Sequence, residues 1–264
     1  LANEPCIVRT SVVTRRRRCC CCMICTPLIK PLQPLVRHTR TPRVWLFDLD
    51  NTLHDASHAI FGHINQSMTR AVIQSLDIGQ DEATVLRKTY WARYGATLIG
   101  MVRHHNVKAA DFLHLSHDFD IAGNTKIEKN LSAMLNAVPG IKYVVTNAPM
   151  HYARIVLDRL DIRHCFAGIC SINEMCLQGR FRPKPSPALM QQLLVQLQCE
   201  PTRTILVEDT LKNLKTAKQL HMKTVHIFHR GTPFSSMQRM RPAYVDLRVN
   251  SVQQLLTHPF ALSG

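Results

Sequence analysis

Residues 43–55 read RVWLFDLDNTLHD, an apolar run broken by two aspartates that flank a single leucine. Val44, Trp45, Leu46 and Phe47 have the pattern of a short strand buried on both faces of a sheet. Asp48 and Asp50 sit where that strand emerges, and in open α/β sheets ligands bind at the carboxyl ends of strands. Side chains alternate along an extended chain, so both acids point to the same side. Two adjacent carboxylates favour a cation between them or a proton on one of them. Caps and turns also take Asp and Asn, so this stretch alone leaves both readings open.

Working outward, strand and helix patterns alternate. Ile60, Phe61, Ile64, Met68, Val72 and Leu76 recur at helical spacing, as do Leu86, Tyr90, Tyr94, Leu98 and Met101. A helix over 126–137 is expected to stop at Pro139-Gly140. IKYVV then forms a second apolar strand that ends in Thr146-Asn147. A helix through Ile155, Val156, Leu157 and Leu160 follows, and a short strand over 166–170. Ser186-Pro187 reads as an N-cap with proline at the first helical position, opening a helix through Leu189, Leu193 and Leu197. TILV ends in Glu208-Asp209, Leu211, Leu214, Ala217 and Leu220 mark another helix, and KTVHIF gives a last strand. Alternation of this kind predicts an α/β fold, a Rossmann-like parallel sheet with helices on both faces. The expected division is a core of residues 43–55 and 125–250, an inserted helical unit over 56–124, and a C-terminal helix or tail over 251–264.

With 264 residues, 45% of them apolar, the chain can bury a core of one large domain or a domain with an insert. No apolar stretch approaches the length needed to span a bilayer. The net charge of +15 is uneven: residues 1–43 carry nine Lys or Arg against Glu4 alone, so +8 lies there and +7 on the rest. Six of the ten cysteines fall in the same segment, four of them consecutive at 19–22. That is not the spacing of a disulfide framework, and no CxxC pair follows beyond Cys25. The body reads as a reduced, cytoplasmic protein without a membrane anchor. Residues 1–42 have no amphipathic period and hold Pro27, Pro31, Pro34 and Pro42. They read as a disordered or non-native basic tail, with a transit peptide or short signal as the alternative.

Three apolar strands thus end in Asp48 and Asp50, in Thr146 and Asn147, and in Glu208 and Asp209. In a parallel sheet those ends share one edge, so the groups converge, joined by Lys184 from FRPKPSP. The acids suit a hard cation held through oxygen, most plausibly Mg²⁺. Thr146, Asn147 and Lys184 supply donors for an anion beside it, which makes a phosphate site with a carboxylate nucleophile.

DLDNTL at 48–53, TN at 146–147, PKP at 183–185 and EDTLKN at 208–213, in that order, resemble the motifs of the haloacid dehalogenase (HAD) superfamily of phosphohydrolases. The likeness spans residues 43–230, and the helical insert resembles a C1-type cap. YWARYGATLIGMVRHH at 90–105, with FRPKPSP and EDTLKNLKTA, is most similar to the pyrimidine 5′-nucleotidase-like branch. The resemblance implies that Asp48 attacks phosphorus and that Asp50 protonates the leaving alkoxide and then activates water. It implies Mg²⁺ on Asp48, the backbone carbonyl of Asp50 and Asp209, with Glu208 and Asn213 behind them. Thr146 and the amide of Asn147 would hold phosphoryl oxygens, Lys184 would offset charge, and Thr52 would orient the first loop.

Bland alternatives stand beside these roles. Lys184 can be an exposed loop residue, Glu208 an ordinary ion-pair partner, and Asn213 a backbone hydrogen-bonding side chain. Tyr90, Trp91 and Tyr94 fit core packing or a nucleobase platform, and Arg93 and Arg103 are candidate substrate contacts. His104, His105, His114 and His117 are expected to be clustered surface histidines rather than metal ligands. The expected partner is a small phosphorylated metabolite or nucleotide. A sugar-phosphate phosphatase, a phosphomutase or a dehalogenase of the same fold is the nearest alternative. Nucleic-acid binding through the basic tail is disfavoured, because the tail has no interleaved aromatics.

Overall fold

The computed structural model describes residues 42–56, 60–125, 130–228 and 240–263. The basic tail and residues 126–129 of the expected 126–137 helix lie outside these residues. Strands are β1 (Val44–Phe47), β2 (Ile141–Val145), β3 (Gly168–Cys170), β4 (Cys176–Leu177), β5 (Arg180–Phe181), β6 (Thr204–Glu208), β7 (Lys223–Ile227) and β8 (Leu247–Val249). Helices are α1 (Ile60–Leu76), α2 (Gln80–Tyr94), α3 (Thr97–His105), α4 (Ala109–Leu115), α5 (Ile121–Asn124), α6 (Leu131–Ala137), α7 (Met150–Arg159), α8 (Pro187–Gln196), α9 (Leu211–Gln219), α10 (Val252–Leu256) and α11 (Pro259–Leu262).

Six strands form one sheet in the order β3-β2-β1-β6-β7-β8, with every neighbouring pair parallel. Alternation along β1 explains its unbroken hydrophobicity. Trp45 and Phe47 enter one core cluster with α6, α7, α10 and α11, while Val44 and Leu46 enter another with α8 and α9. Both faces are therefore covered, as expected of a parallel sheet. Leu46 is fully buried, and truncating such a residue to Ala typically costs about 2–5 kcal/mol. Ser186 caps α8 by accepting from the Leu189 amide, with Pro187 at the first helical position.

The insert has its own core: Ala71 and Val72 of α1, Ala83 and Tyr90 of α2, Leu98 and Met101 of α3, and Phe112 and Leu113 of α4. Its two ends behave differently. Ala56, Ile60 and Ile121 pack into the cluster beneath the sheet, so the chain enters and leaves the insert through the main core. The C-terminal helices likewise bury Val252, Leu255, Leu256 and Ala261 there.

Three local features escape the periodicity. The run from Leu86 to Met101 is not one helix, because Gly95 adopts φ 80° and turns the chain between α2 and α3. A side chain at Gly95 would place its Cβ 3.1 Å from the Lys184 carbonyl oxygen, so glycine lets the insert touch that loop. The antiparallel β4–β5 hairpin and the edge strand β8 are two and three residues long, too short to show a period.

Candidate active site

The strand order settles where the motifs meet. β1 lies between β2 and β6, so Asp48, Thr146 and Glu208 emerge side by side from the same edge. Lys184 reaches them from the loop between β5 and α8. Its Nζ donates to Asp48 Oδ1 at 2.6 Å and to Glu208 Oε2 at 2.7 Å. All three side chains are buried. The reading of Lys184 as an exposed loop residue is therefore excluded. Asn147 fixes that loop: its Nδ2 donates to the Lys184 carbonyl and its Oδ1 accepts from the Lys184 amide, both at 3.0 Å.

Asp48, Glu208 and Asp209 each bring an oxygen within 4.8 Å of the others. Burial, and then the charge of Glu208, push Asp48 up to about 7 despite Lys184. Burial raises Glu208 to about 7, against the pull of Lys184. Asp209 is raised to about 6 by burial and by Asp48. Lys184 is held above its ordinary value by the two acids it joins, which outweigh its burial. When all three carboxylates are ionised against one ammonium, the excess is two negative charges, the complement of a divalent cation. The all-oxygen donor set suits Mg²⁺.

The polar residues around this group hold its shape. Thr52 donates to Asp48 Oδ2 at 3.3 Å. Asn51 adopts φ 58°, accepts from the Ala56 amide and approaches Asp209 Oδ2 at 3.4 Å. Thr146 Oγ1 accepts from the Ala148 amide, and its own O–H donates to no acceptor among the described residues. His226 pairs with Glu208 across β6 and β7, and its Nε2 lies 3.0 Å from the Asp209 carbonyl oxygen. Asn213 is buried on the first turn of α9, but none of the site's hydrogen bonds involves its side chain.

Asp50 is treated differently. Its Oδ1 accepts from Tyr152 Oη at 2.6 Å and sits 3.0 Å from His54 Nε2. Burial works to raise this carboxyl, yet the hydrogen bonds from His54 and Tyr152 hold it below its ordinary value. Sequence reasoning missed both partners, although His54 lies within the decisive stretch and Tyr152 in the first turn of the helix after Thr146-Asn147.

In the insert, the expectation of four surface histidines fails for His117. It is buried against Tyr152, ring centroids 5.3 Å apart, and its imidazole is lowered to about 4 by burial and by His151. His104 and His105 accept or donate to the hydroxyls of Tyr94 and Tyr90 at 2.7 Å. Tyr90 packs in the insert core with His104 stacked on its ring. Arg93 and Arg103 both lie over Tyr94, whereas Trp91 is 53% exposed and not a core residue.

The site is thus a parallel sheet with Asp48 at a central strand end, the buried Lys184 hydrogen-bonded to it, and Glu208 and Asp209 beside it. Residues 42–221 match the haloacid dehalogenase-like hydrolase family, and the chain belongs to it. Among solved structures, the chain is similar to a HAD phosphatase from Thermococcus onnurineus, at 17% identity and a TM-score of 0.55 over 81% of this chain and 95% of that one. It is also similar to CbbY from Rhodobacter sphaeroides in complex with phosphate, at 18% identity and 0.56 over 81% and 96%. A third is the HAD-hydrolase YfnB from Bacillus subtilis bound to magnesium, at 13% identity and 0.51 over 82% and 97%. At these identities the likeness establishes the fold. No described helix is long and apolar enough to cross a membrane.

Proposed function

We propose that this chain is a Mg²⁺-dependent phosphomonoester hydrolase that forms an aspartyl-phosphate on Asp48, with a pyrimidine nucleoside 5′-monophosphate as its substrate. The observation that carries the reading is the separation of two carboxylates two residues apart. Asp48 is bonded to Lys184 and grouped with Glu208 and Asp209, while Asp50 is hydrogen-bonded to His54 and Tyr152. Carboxylates given such different surroundings take different roles, one as nucleophile and one as acid and base. A dehalogenase releases halide, which needs no proton, and would leave the acid half of the role of Asp50 unused.

Asp48 attacks phosphorus as the bond to the leaving oxygen breaks, and Asp50 gives that oxygen a proton. Asp50 then takes a proton from the water that attacks phosphorus, which frees Asp48 and inorganic phosphate. The Thr146 hydroxyl and the Asn147 amide are the donors for phosphoryl oxygens, and Lys184 keeps Asp48 oriented and charge-balanced. Asp48, Asp209 and the carbonyl of Asp50 would hold Mg²⁺, which supplies Lewis-acid polarisation of a phosphoryl oxygen when bound. The phosphate in CbbY and the magnesium in YfnB support this reading.

The pyrimidine assignment rests on the likeness of residues 90–105 and 181–187 to that branch. Its residues are Trp91, Arg93, Tyr94 and Arg103, joined to the Lys184 loop through Gly95. The test is phosphate release by the full chain, with and without Mg²⁺, from nucleoside monophosphates and sugar phosphates. Mg²⁺-dependent release favouring UMP and CMP supports the whole reading. Release from sugar phosphates alone discards the nucleotide, and no release from any of them discards the hydrolase chemistry.

A further inference from the structure

The surroundings of Asp50 are more specific than its role demands. Both of its hydrogen bonds converge on one atom: Tyr152 Oη and His54 Nε2 meet Oδ1, and Oδ2 forms no hydrogen bond among the described residues. His54 is sealed from solvent, and so is Tyr152, whereas the Asp50 side chain stays 19% exposed. The open side of the carboxyl is thus the Oδ2 side.

His54 is held there by the turn that Asn51 makes. The left-handed Asn51 and its bond from the Ala56 amide fold the chain back, and Asp50 and His54 form an isolated parallel bridge. The other ring nitrogen, Nδ1, is buried without a hydrogen-bond partner among the described residues. A bare buried lone pair is tolerated better than a buried N–H without an acceptor. This assigns the proton to Nε2, where it is donated to Asp50. Tyr152 comes from the first turn of α7 and is braced from the insert by His117 at 5.3 Å and Phe119 at 6.5 Å.

We propose that His54 and Tyr152 are positioning residues that saturate Oδ1, lock the rotation of the Asp50 carboxyl and reserve Oδ2 as the one atom that exchanges the proton. The proposal rests on the phosphomonoesterase reading and deepens it. In the first half-reaction, the Oδ2 proton passes to the leaving oxygen as its bond to phosphorus breaks. In the second, a water proton returns to Oδ2 while the water oxygen bonds to phosphorus, and the electron pair of the broken bond stays on Asp48. A dianionic phosphoryl group beside Asp50 favours the protonated form that the first step needs. Without the two donors the carboxyl can rotate, and the proton is no longer aimed at the leaving oxygen.

Such a role is visible in the leaving group. An alkoxide needs the proton, and well-placed general acids contribute about 10²–10⁴-fold. A p-nitrophenolate leaves without one. The experiment compares kcat/KM for an alkyl phosphate (UMP or glycerol 3-phosphate) and for p-nitrophenyl phosphate, in wild type, Tyr152→Phe, His54→Leu and His54→Gln, all with Mg²⁺. Tyr152→Phe and His54→Leu should each lower alkyl phosphate turnover by about tenfold or more while changing p-nitrophenyl phosphate by less than about threefold. His54→Gln, which keeps a donor near Nε2, should recover most of the loss. Equal losses on both substrates, or no loss on either, would overturn the proposal. If His54→Leu does not fold, Tyr152→Phe, which removes one oxygen, decides alone. A wild-type chain that hydrolyses neither class refutes the underlying hydrolase reading instead, a result distinct from hydrolysis without the leaving-group split.

Discussion

Lys184→Met removes the ammonium that joins Asp48 and Glu208 and keeps a side chain of similar length. The structure sets the scale of the effect. Nζ lies 2.6 and 2.7 Å from the two acids, and all three groups are buried. Breaking a buried pair by removing one partner costs about 3–5 kcal/mol, because the remaining charge has no compensation. Here two carboxylates are left, each already raised to about 7. Against a typical total stability of about 5–15 kcal/mol, such a loss is large. In urea, with a slope of about 2 kcal/mol per molar, the unfolding midpoint should fall by about 1.5–2.5 M in EDTA. Excess Mg²⁺ should recover part of that shift, since a cation can neutralise the same acids, while phosphatase activity stays lost. The assay is urea unfolding followed by far-UV circular dichroism for wild type and variant, with EDTA and with Mg²⁺. A midpoint within about 0.3 M of wild type in EDTA would refute the reasoning, because that is below the cost of any uncompensated buried charge.

Two further outcomes follow from the same geometry. Asp48 and Glu208 have folded-state values of about 7, above ordinary carboxylates, so without metal the folded protein binds more protons than the unfolded chain. Their contribution is therefore favourable at acid pH and is lost as pH rises toward 7, and the thermal stabilisation given by Mg²⁺ should grow from pH 5 to pH 8; a constant increment across that range would contradict the assignment. Asn147→Ala deletes the paired hydrogen bonds on the Lys184 peptide, which should cost about 1–3 kcal/mol in thermal unfolding and at least about tenfold in kcat. Unchanged kcat in that variant would show that the Lys184 loop holds its place unaided.

Much of this was legible in RVWLFDLDNTLHD and its counterparts. Unbroken apolar runs in VWLF, IKYVV and TILV announce a doubly covered parallel sheet. That topology alone makes Asp48, Thr146 and Glu208 neighbours. What the chain does not advertise are contacts made across it. Tyr152 is 102 residues from Asp50, and no periodicity links them. His117 was read as a surface residue because three other histidines lie near it in sequence, but only His117 is buried in the seam beside Tyr152. The α2–α3 break at Gly95 is hidden by apolar positions that keep their spacing on either side of the turn. Asn147 shows the same limit: its position beside Thr146 points to phosphate, while its side chain is spent on the backbone of Lys184.

The central claim is that Asp48 carries the phosphoryl group. The most direct measurement is to mix the full chain with Mg²⁺ and a phosphomonoester it hydrolyses, quench in hydroxylamine, and map the modified peptide by mass spectrometry. An acyl phosphate on Asp48 would be converted to a hydroxamate at that residue, dependent on substrate and absent in Asp48→Asn. Phosphate release with no modification at Asp48, or with modification at another residue, would contradict the account.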